Sequence, residues 1–194
     1  MKTDIILAGV GGQGVLSVAA IIANAAAASS LWVRQGEVHG MAQRGGAVLA
    51  HLRISDSVPL SDLVPKGAAD LILSMEPLES LRYAAWLSPQ GALVTAAEPL
   101  VNIPDYPDIA GLLKTIAAFP KARIVEAAAI AKEAGSAKSV NMVMVGAASP
   151  FLPVTSEILL QTIAEMFAGK APAVTAANKK AFTLGRNAAA GRKE

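Results

Sequence analysis

Short apolar runs alternate along the chain with longer stretches in which apolar residues recur every three or four positions. The short runs are typical of buried strands, and the longer periodic stretches are typical of helices that pack on one side. The pattern predicts strands over residues 4–9, 31–34, 47–54, 70–75, 91–95 and 122–125. It predicts helices over residues 14–29, 76–87, 108–118, 126–134, 139–148, 155–168 and 174–190, with a strand as the alternative for the valine-rich segment 139–148.

This alternation of strands and helices favours an α/β fold. We expect a single domain over residues 1–194, built as a doubly wound, largely parallel Rossmann-like sheet with helices on both faces. The polar, glycine-punctuated segment 35–46 is predicted to be a loop. The segment 101–107 contains two prolines and is predicted to be a loop or an edge.

The composition suits such a domain and excludes several kinds of site. Hydrophobic residues make up 53% of the chain, and no uninterrupted apolar run approaches the roughly 20 residues that span a bilayer. We therefore expect a cytoplasmic protein with no membrane segment and no signal peptide. Because there is no cysteine, the chain cannot form a disulfide, use a cysteine nucleophile or hold an iron–sulfur cluster through cysteine. With two histidines, no zinc site is expected.

The net charge of +2 is unevenly distributed. From Lys170 onward there are six basic residues and one acidic residue, whereas the part before it is net acidic. A basic terminus can bind nucleic acid, but aromatic residues are only 4% of the chain and do not interleave with the basic ones. A solvated terminal helix is the favoured interpretation, and we expect no nucleic-acid partner.

The segment 9–14, here called the glycine turn, directly follows the first predicted strand and opens the first predicted helix. It contains the pattern G-x-G-x-x-G. Backbone N–H groups at such a helix start can bind an anion, although the glycines can also serve only a tight turn. A nicotinamide dinucleotide site also needs an acidic residue at the end of the second strand. Residues 31–36 include no acidic residue, and the first one after them is Glu37. A dinucleotide-dependent enzyme is therefore disfavoured.

The segment 35–46, here called the polar loop, carries several side chains suited to binding or chemistry. They are a carboxylate at Glu37, an imidazole at His39, an amide at Gln43 and a guanidinium at Arg44. In a doubly wound sheet this loop begins at the same carboxyl edge as the glycine turn. Arg44 is a candidate clamp for a phosphate or a partner's carboxylate, with an intrachain ion pair as the alternative. For His39 a structural hydrogen bond is favoured over a general acid–base role.

The sequence lacks the familiar catalytic patterns. There is no G-x-S-x-G elbow, no Walker lysine after the glycine turn and no H-E-x-x-H pair. There is also no G-D-G followed by paired asparagines, the signature expected of a thiamine diphosphate site. We therefore expect no catalytic residue and no metal site in this chain.

Two motifs, in this order and with this spacing, resemble the gamma domain of 2-oxoacid:ferredoxin oxidoreductases over essentially the whole chain. They are the glycine turn and the segment 40–46 with the strand that follows it, and the segment 141–147 fits the same family. Members that act on 2-oxoglutarate or branched-chain oxoacids tend to have tyrosine, glycine, proline, glutamate, alanine and arginine in the second motif. Here the segment 39–46 reads HGMAQRGG. This version resembles the small (beta) subunits of indolepyruvate ferredoxin oxidoreductases, which act on arylpyruvates.

The resemblance implies a subunit of a hetero-oligomer that oxidatively decarboxylates a 2-oxoacid to an acyl-CoA and carbon dioxide and passes electrons to ferredoxin. It implies that a large (alpha) subunit holds thiamine diphosphate and iron–sulfur clusters, that this chain binds no cofactor tightly, and that coenzyme A is a substrate of the complex. The residues expected to contact coenzyme A, another anion or the partner subunit are Gly9, Gly11, Gly12, Gln13, Gly14, Glu37, His39, Gln43, Arg44, Gly45, Gly46 and Asn141. The alternatives are a gamma subunit acting on pyruvate, 2-oxoisovalerate or 2-oxoglutarate, and a free-standing dinucleotide-binding protein.

Overall fold

The computed structural model describes residues 1–39 and 45–190. Its strands are β1 (Lys2–Val10), β2 (Trp32–His39), β3 (Ala47–Ser55), β4 (Ala69–Ser74), β5 (Leu87–Ala96) and β6 (Ala122–Val125). Its helices are α1 (Val15–Ala28), α2 (Pro77–Arg82), α3 (Ile109–Ala117), α4 (Ala127–Glu133), α5 (Val140–Ala148), α6 (Ser156–Met166) and α7 (Pro172–Ala190). None of the helices within these two ranges is long and apolar enough to cross a membrane.

The six strands form one mixed sheet in the order β2-β3-β1-β4-β5-β6. β1, β4, β5 and β6 pair in parallel, whereas β3 runs antiparallel to both β1 and β2. The sheet is therefore largely parallel, as predicted, with β3 reversed. The reversal follows from chain length, because the short segment 40–46 between β2 and β3 cannot make the crossover that a parallel pair needs.

Helices cover both faces of the sheet, which confirms the doubly wound arrangement. Successive residues of β1 point to opposite faces, so Ile5 and Leu7 join the larger hydrophobic cluster and Ile6 joins the smaller one. Side chains from α1, α4, α5, α6 and α7 complete the larger cluster, and α3 contributes Ile116 to the smaller one. Burial on both faces explains why β1 reads as a continuous apolar run.

α5 and α7 cross with their backbones in contact. A Cβ atom at Gly146 of α5 would lie 2.0 Å from the carbonyl oxygen of Phe182, and one at Gly185 of α7 would lie 2.1 Å from the carbonyl oxygen of Val143. These distances are far below van der Waals contact, so only glycine permits this approach. The two glycines therefore set how deeply α7 packs over the larger cluster.

Three boundary predictions are wrong, the simplest being that β5 begins at Leu87 and not at residue 91. β2 does not end at residue 34, because every residue of Trp32–His39 pairs with a residue of β3. β2 is an edge strand that is reached by solvent. It therefore lacks the alternation of apolar and polar residues that predicts a half-buried strand. The helix predicted over residues 76–87 is also too long, since α2 ends at Arg82 and β5 already begins at Leu87. The valine-rich segment 139–148 forms the helix α5, as predicted.

Candidate functional site

The glycine turn lies at the carboxyl edge of the sheet, where β1 ends and α1 begins, and Gln13 braces it. Its side-chain Oε1 accepts a hydrogen bond from the backbone N–H of Val10 at 2.8 Å. Its Nε2 donates to the carbonyl oxygen of Met75, just beyond β4, at 3.1 Å. Both ends of the amide are thus used within the fold. Gln13 therefore shapes the turn through hydrogen bonds at both ends of its amide.

The start of α1 presents backbone donors at this edge. Gly14 precedes the helix in the left-handed region, with φ of 78°, and supplies no side-chain cap. Within the described part of the chain, the N–H groups of Gly12, Gly14, Val15 and Leu16 donate to no acceptor. The positive end of the α1 dipole adds to these donors, and such an arrangement binds phosphate or carboxylate groups.

Two backbone hydrogen bonds join the end of the polar loop to the glycine turn. The N–H of Gly11 donates to the carbonyl oxygen of Gly46 at 2.7 Å, and the N–H of Gly45 donates to the carbonyl oxygen of Gly11 at 3.3 Å. These bonds continue the pairing between β1 and β3. The two glycine-rich segments therefore meet at one edge, as the sequence predicts. Gln43 and Arg44, which were predicted to contribute from this loop, lie outside the described residues.

Glu37 and His39 lie on β2 rather than in a loop, which corrects the sequence prediction. β3 separates β2 from β1, so both residues are two strands away from the glycine turn. Glu37 is exposed, and its carboxylate accepts a hydrogen bond from Nε2 of Gln35. An acid is present on the second strand, but a Rossmann site needs that strand next to β1.

Asn141 reaches the glycine turn from the first turn of α5. Its Nδ2 donates to the carbonyl oxygen of Gly14 at 3.4 Å. A Cβ atom at Gly14 would lie only 2.2 Å from the same nitrogen. Residues far apart in the sequence therefore meet at the start of α1, which places Asn141 among the predicted site residues Gly9, Gly11, Gly12, Gln13 and Gly14.

A connection that sequence reasoning missed crosses this edge. The rim segment, residues 97–108, leads from β5 to α3. In it, Nδ2 of Asn102 donates to the carbonyl oxygen of Gly45 at 2.8 Å, and the hydroxyl of Tyr106 donates to the buried carboxylate of Glu76. Burial and this hydrogen bond raise the pKa of Tyr106 well above its ordinary value, so the hydroxyl remains a donor. The two prolines of residues 101–107 predict the absence of regular structure there, but no sequence signal predicts these contacts.

Exposed apolar side chains lie on two of the segments that meet at this edge. They are Leu16 on α1 and Val101 and Ile103 on the rim segment, and they are 36%, 68% and 38% exposed. Exposed apolar groups together with backbone donors that have no described partner suit a protein partner as well as an anion. Among residues 1–39 and 45–190, no group of His, Cys, Asp or Glu side chains could hold a metal ion.

Removing the Gln13 amide is expected to destabilise the fold. In Gln13→Leu the Val10 N–H and the Met75 carbonyl lose their partners, which should lower the free energy of unfolding by about 2 kcal/mol. Gln161→Leu is the matched control, because exposed Gln161 bonds only to Glu165. Urea denaturation followed by circular dichroism measures both variants. Equal midpoints for the two would contradict the bracing role of Gln13.

Comparison with known sequences gives a consistent result. The profile of the family described as "Pyruvate ferredoxin/flavodoxin oxidoreductase" matches residues 4–188. The chain is 37% identical to "Indolepyruvate oxidoreductase subunit IorB" of Pyrococcus horikoshii, over 96% of this chain and 95% of that protein. It is 35% identical to the proteins of the same name from Archaeoglobus fulgidus and Methanothermobacter thermautotrophicus, covering 97% and 98% of this chain and 96% and 99% of those proteins.

Comparison with solved structures supports the same fold. The pyruvate oxidoreductase subunit PORC of Thermotoga maritima is 25% identical with a TM-score of 0.72, over 96% of each chain. The 2-oxoglutarate:ferredoxin oxidoreductase of Magnetococcus marinus, solved with 2-oxoglutarate, coenzyme A and succinyl-CoA bound, is 23% identical with a TM-score of 0.78. The match covers 99% of this chain but only 32% of that longer chain, and it bears on the fold alone.

Proposed function

The chain belongs to the pyruvate ferredoxin/flavodoxin oxidoreductase family, and from this premise we propose that it is the small subunit of an indolepyruvate-type oxidoreductase. The complex oxidatively decarboxylates arylpyruvates with coenzyme A, giving an aryl-acetyl-CoA and carbon dioxide, and it reduces ferredoxin. The observation that carries the proposal is the near full-length identity to the archaeal indolepyruvate oxidoreductase subunits. The HGMAQRGG segment supports this choice over subunits that act on 2-oxoglutarate or branched-chain oxoacids.

The chain's own residues do not fit the groups that perform the oxidation. It has no cysteine for an iron–sulfur cluster and no thiamine diphosphate signature. When bound, thiamine diphosphate supplies the electron sink for decarboxylation. We assign that cofactor and the clusters to a large partner subunit. The two subunits form a cytoplasmic hetero-oligomer, and electrons pass through its clusters to ferredoxin. The single domain over residues 1–194 then has a binding role, and the isolated chain is inactive.

The binding role falls on the edge formed by the glycine turn. The N–H groups at the start of α1 that have no partner among the described residues hold an anionic group of coenzyme A, and Arg44 adds positive charge from the polar loop. The support is the pair of hydrogen bonds that fixes residues 45–46 of that loop against Gly11.

A contact surface for the large subunit is the second candidate role of the same edge. It is favoured by the exposed apolar side chains Leu16, Val101 and Ile103, which lie on segments that meet at this edge. Glu37 and His39 fit this role better than the anion site, since β2 lies two strands away from the glycine turn. In this role the edge binds the large subunit and stabilises the complex, and coenzyme A contacts mainly that subunit.

Arg44→Ala separates the two roles. If Arg44 contacts coenzyme A, the variant complex should keep its assembly while its Kd for coenzyme A rises about tenfold, as expected for loss of one charge-assisted contact. If the edge is mainly an interface, assembly weakens more than coenzyme A binding does. Calorimetry with coenzyme A and sedimentation of the complex measure the two effects.

Arg34→Ala is the matched control for this experiment. Arg34 is an exposed arginine whose partner is Asp62, and such surface ion pairs contribute little. It should change neither the Kd nor the assembly. An Arg44→Ala complex that matches wild type in affinity, assembly and turnover would remove Arg44 from the proposal.

A further inference from the structure

β2 forms one edge of the sheet, and its outer side is open in the described part of the chain. The strand is eight residues long and pairs with β3 along its whole length. Within residues 1–39 and 45–190, its backbone groups bond to no residue outside β3. An edge of this length presents a row of N–H and C=O groups that can pair with a strand of another chain.

Exposed apolar side chains lie near both ends of this edge. Trp32 and Val38 are 54% and 57% exposed. Because side chains alternate between the two faces along a strand, these two residues point to the same face. Trp32 also lines a groove of about 430 Å³ together with Val58 and Pro59, which follow β3. The edge therefore offers apolar surface as well as backbone groups.

We infer that β2 pairs antiparallel with β2 of a second copy of the chain, with Gln35 opposite Gln35, so that the two sheets become one. In a two-fold pair of identical antiparallel strands, one residue faces itself at the centre. Arg34 or Glu37 at the centre would place like charges opposite each other, which disfavours those registers. With Gln35 at the centre, Trp32 of each copy lies opposite Val38 of the other, and both exposed apolar side chains become covered.

The charges along the edge complement each other in the same register. Arg34 of one copy lies opposite Gly36 of the other, and a Cβ atom at Gly36 would lie 3.6 Å from Cβ of Asp62. Within the chain, Nη1 of Arg34 already donates to Oδ1 of Asp62 at 3.0 Å. Each Asp62 carboxylate is therefore flanked by one guanidinium from each copy. Pairing centred on Gly36 would instead place Arg34 opposite Val38 and lose these contacts.

This contact is separate from the carboxyl edge of the sheet. β3 lies between β2 and β1, so a second copy on β2 leaves the glycine turn open to coenzyme A or to the large subunit. Glu37 lies opposite Val33 of the second copy and is drawn into the contact between copies. The pairing goes beyond the proposed function, because it needs neither a substrate nor the large subunit.

Cysteine cross-linking of the full chain tests the register, because the sequence contains no cysteine. Opposite residues of antiparallel strands have Cα atoms about 4.5–5.5 Å apart, a separation that a disulfide can bridge. Gln35→Cys should therefore give a disulfide-linked dimer on mild oxidation, whereas Gln161→Cys, on the exposed side of α6, should not. Trp32→Cys and Val38→Cys chains should cross-link when they are mixed but not singly.

The same oxidation of the Gln35→Cys chain within the purified complex distinguishes the occupants of the edge. A cross-link between two copies of this chain is the expected result. A cross-link to the large subunit, or no Gln35→Cys dimer at all, would overturn the pairing.

Paired charge insertions test the contact without a cross-link. Val38→Lys places a charge opposite Trp32 and should raise the Kd for self-association of the full chain at least about tenfold in sedimentation equilibrium. Val101→Lys changes a similarly exposed valine on the rim segment and should leave this Kd unchanged. Weaker association in Val101→Lys alone would locate the contact at the carboxyl edge, and a wild-type chain that stays monomeric would also refute the pairing. Because no substrate is present, a dimer without arylpyruvate turnover would refute only the proposed function.

Discussion

Gly146→Ala is expected to lower the free energy of unfolding by about 3 kcal/mol, and the melting temperature by roughly 10 °C. The added methyl group would lie 2.0 Å from the carbonyl oxygen of Phe182 and 2.8 Å from its carbonyl carbon. Both atoms belong to the backbone of α7, so no side chain can turn away to make room. α5 and α7 must separate, and the larger hydrophobic cluster opens with them.

The direction of the stability change distinguishes a tight helix crossing from an ordinary helical position. Alanine normally stabilises a helix relative to glycine by about 1 kcal/mol, so an ordinary helical position would gain stability from the same change. Gly111→Ala is the matched control, because Gly111 lies in α3 and a Cβ atom there would meet only Oδ2 of Asp108, at an ordinary contact distance of 3.4 Å. Differential scanning calorimetry compares the two. A Gly146→Ala protein that melts at or above the wild-type temperature would show that the crossing is not tight.

Gly14→Ala is expected to lower the coenzyme A-dependent turnover of the complex at least about tenfold. It should also lower the free energy of unfolding of the chain by about 2 kcal/mol. Two effects combine at this position. An L side chain is strained at φ of 78°, and its Cβ atom would lie 2.2 Å from Nδ2 of Asn141. Asn141 has to leave the glycine turn, and the start of α1 shifts with it.

Gly67→Ala isolates the backbone strain from the contact. Gly67 has a nearly equal φ of 74°, but a Cβ atom there meets nothing within 4 Å. Gly67→Ala should lower the free energy of unfolding by about 1 kcal/mol and leave the turnover of the complex unchanged. Chemical denaturation and steady-state assays of both variants separate the two contributions. Equal turnover in the Gly14→Ala and Gly67→Ala complexes would show that the glycine turn has no part in the reaction.

The glycine turn could be predicted from sequence because its signal is local. A buried apolar run followed by closely spaced glycines has few structural alternatives, and both β1 and α1 begin and end within two residues of their predicted bounds. The position of the glycine turn and the polar loop at one edge of the sheet was also predictable, because both segments follow strands. The hydrogen bonds between Gly11 and residues 45–46 were not, because they depend on the antiparallel pairing of β3 with β1.

Features that depend on distant partners could not be predicted in the same way. β2 is held by pairing with β3 rather than by an apolar face, so residues 35–39 read as a loop. The rim segment is placed by Asn102 and Tyr106, whose acceptors Gly45 and Glu76 are remote in sequence. Gln13 was predicted as a binding residue. Its bracing hydrogen bonds to Val10 and Met75 could not be predicted, because Met75 is remote in sequence.

Reconstitution with the large subunit tests the central claim most directly. The chain and its co-purified partner are assayed for reduction of ferredoxin with indolepyruvate and coenzyme A, and each component is also assayed alone. We predict a brown complex whose activity requires both subunits and coenzyme A and is higher with indolepyruvate than with pyruvate or 2-oxoglutarate. A colourless chain that reduces a nicotinamide cofactor by itself, or a complex that ignores arylpyruvates, would contradict the account.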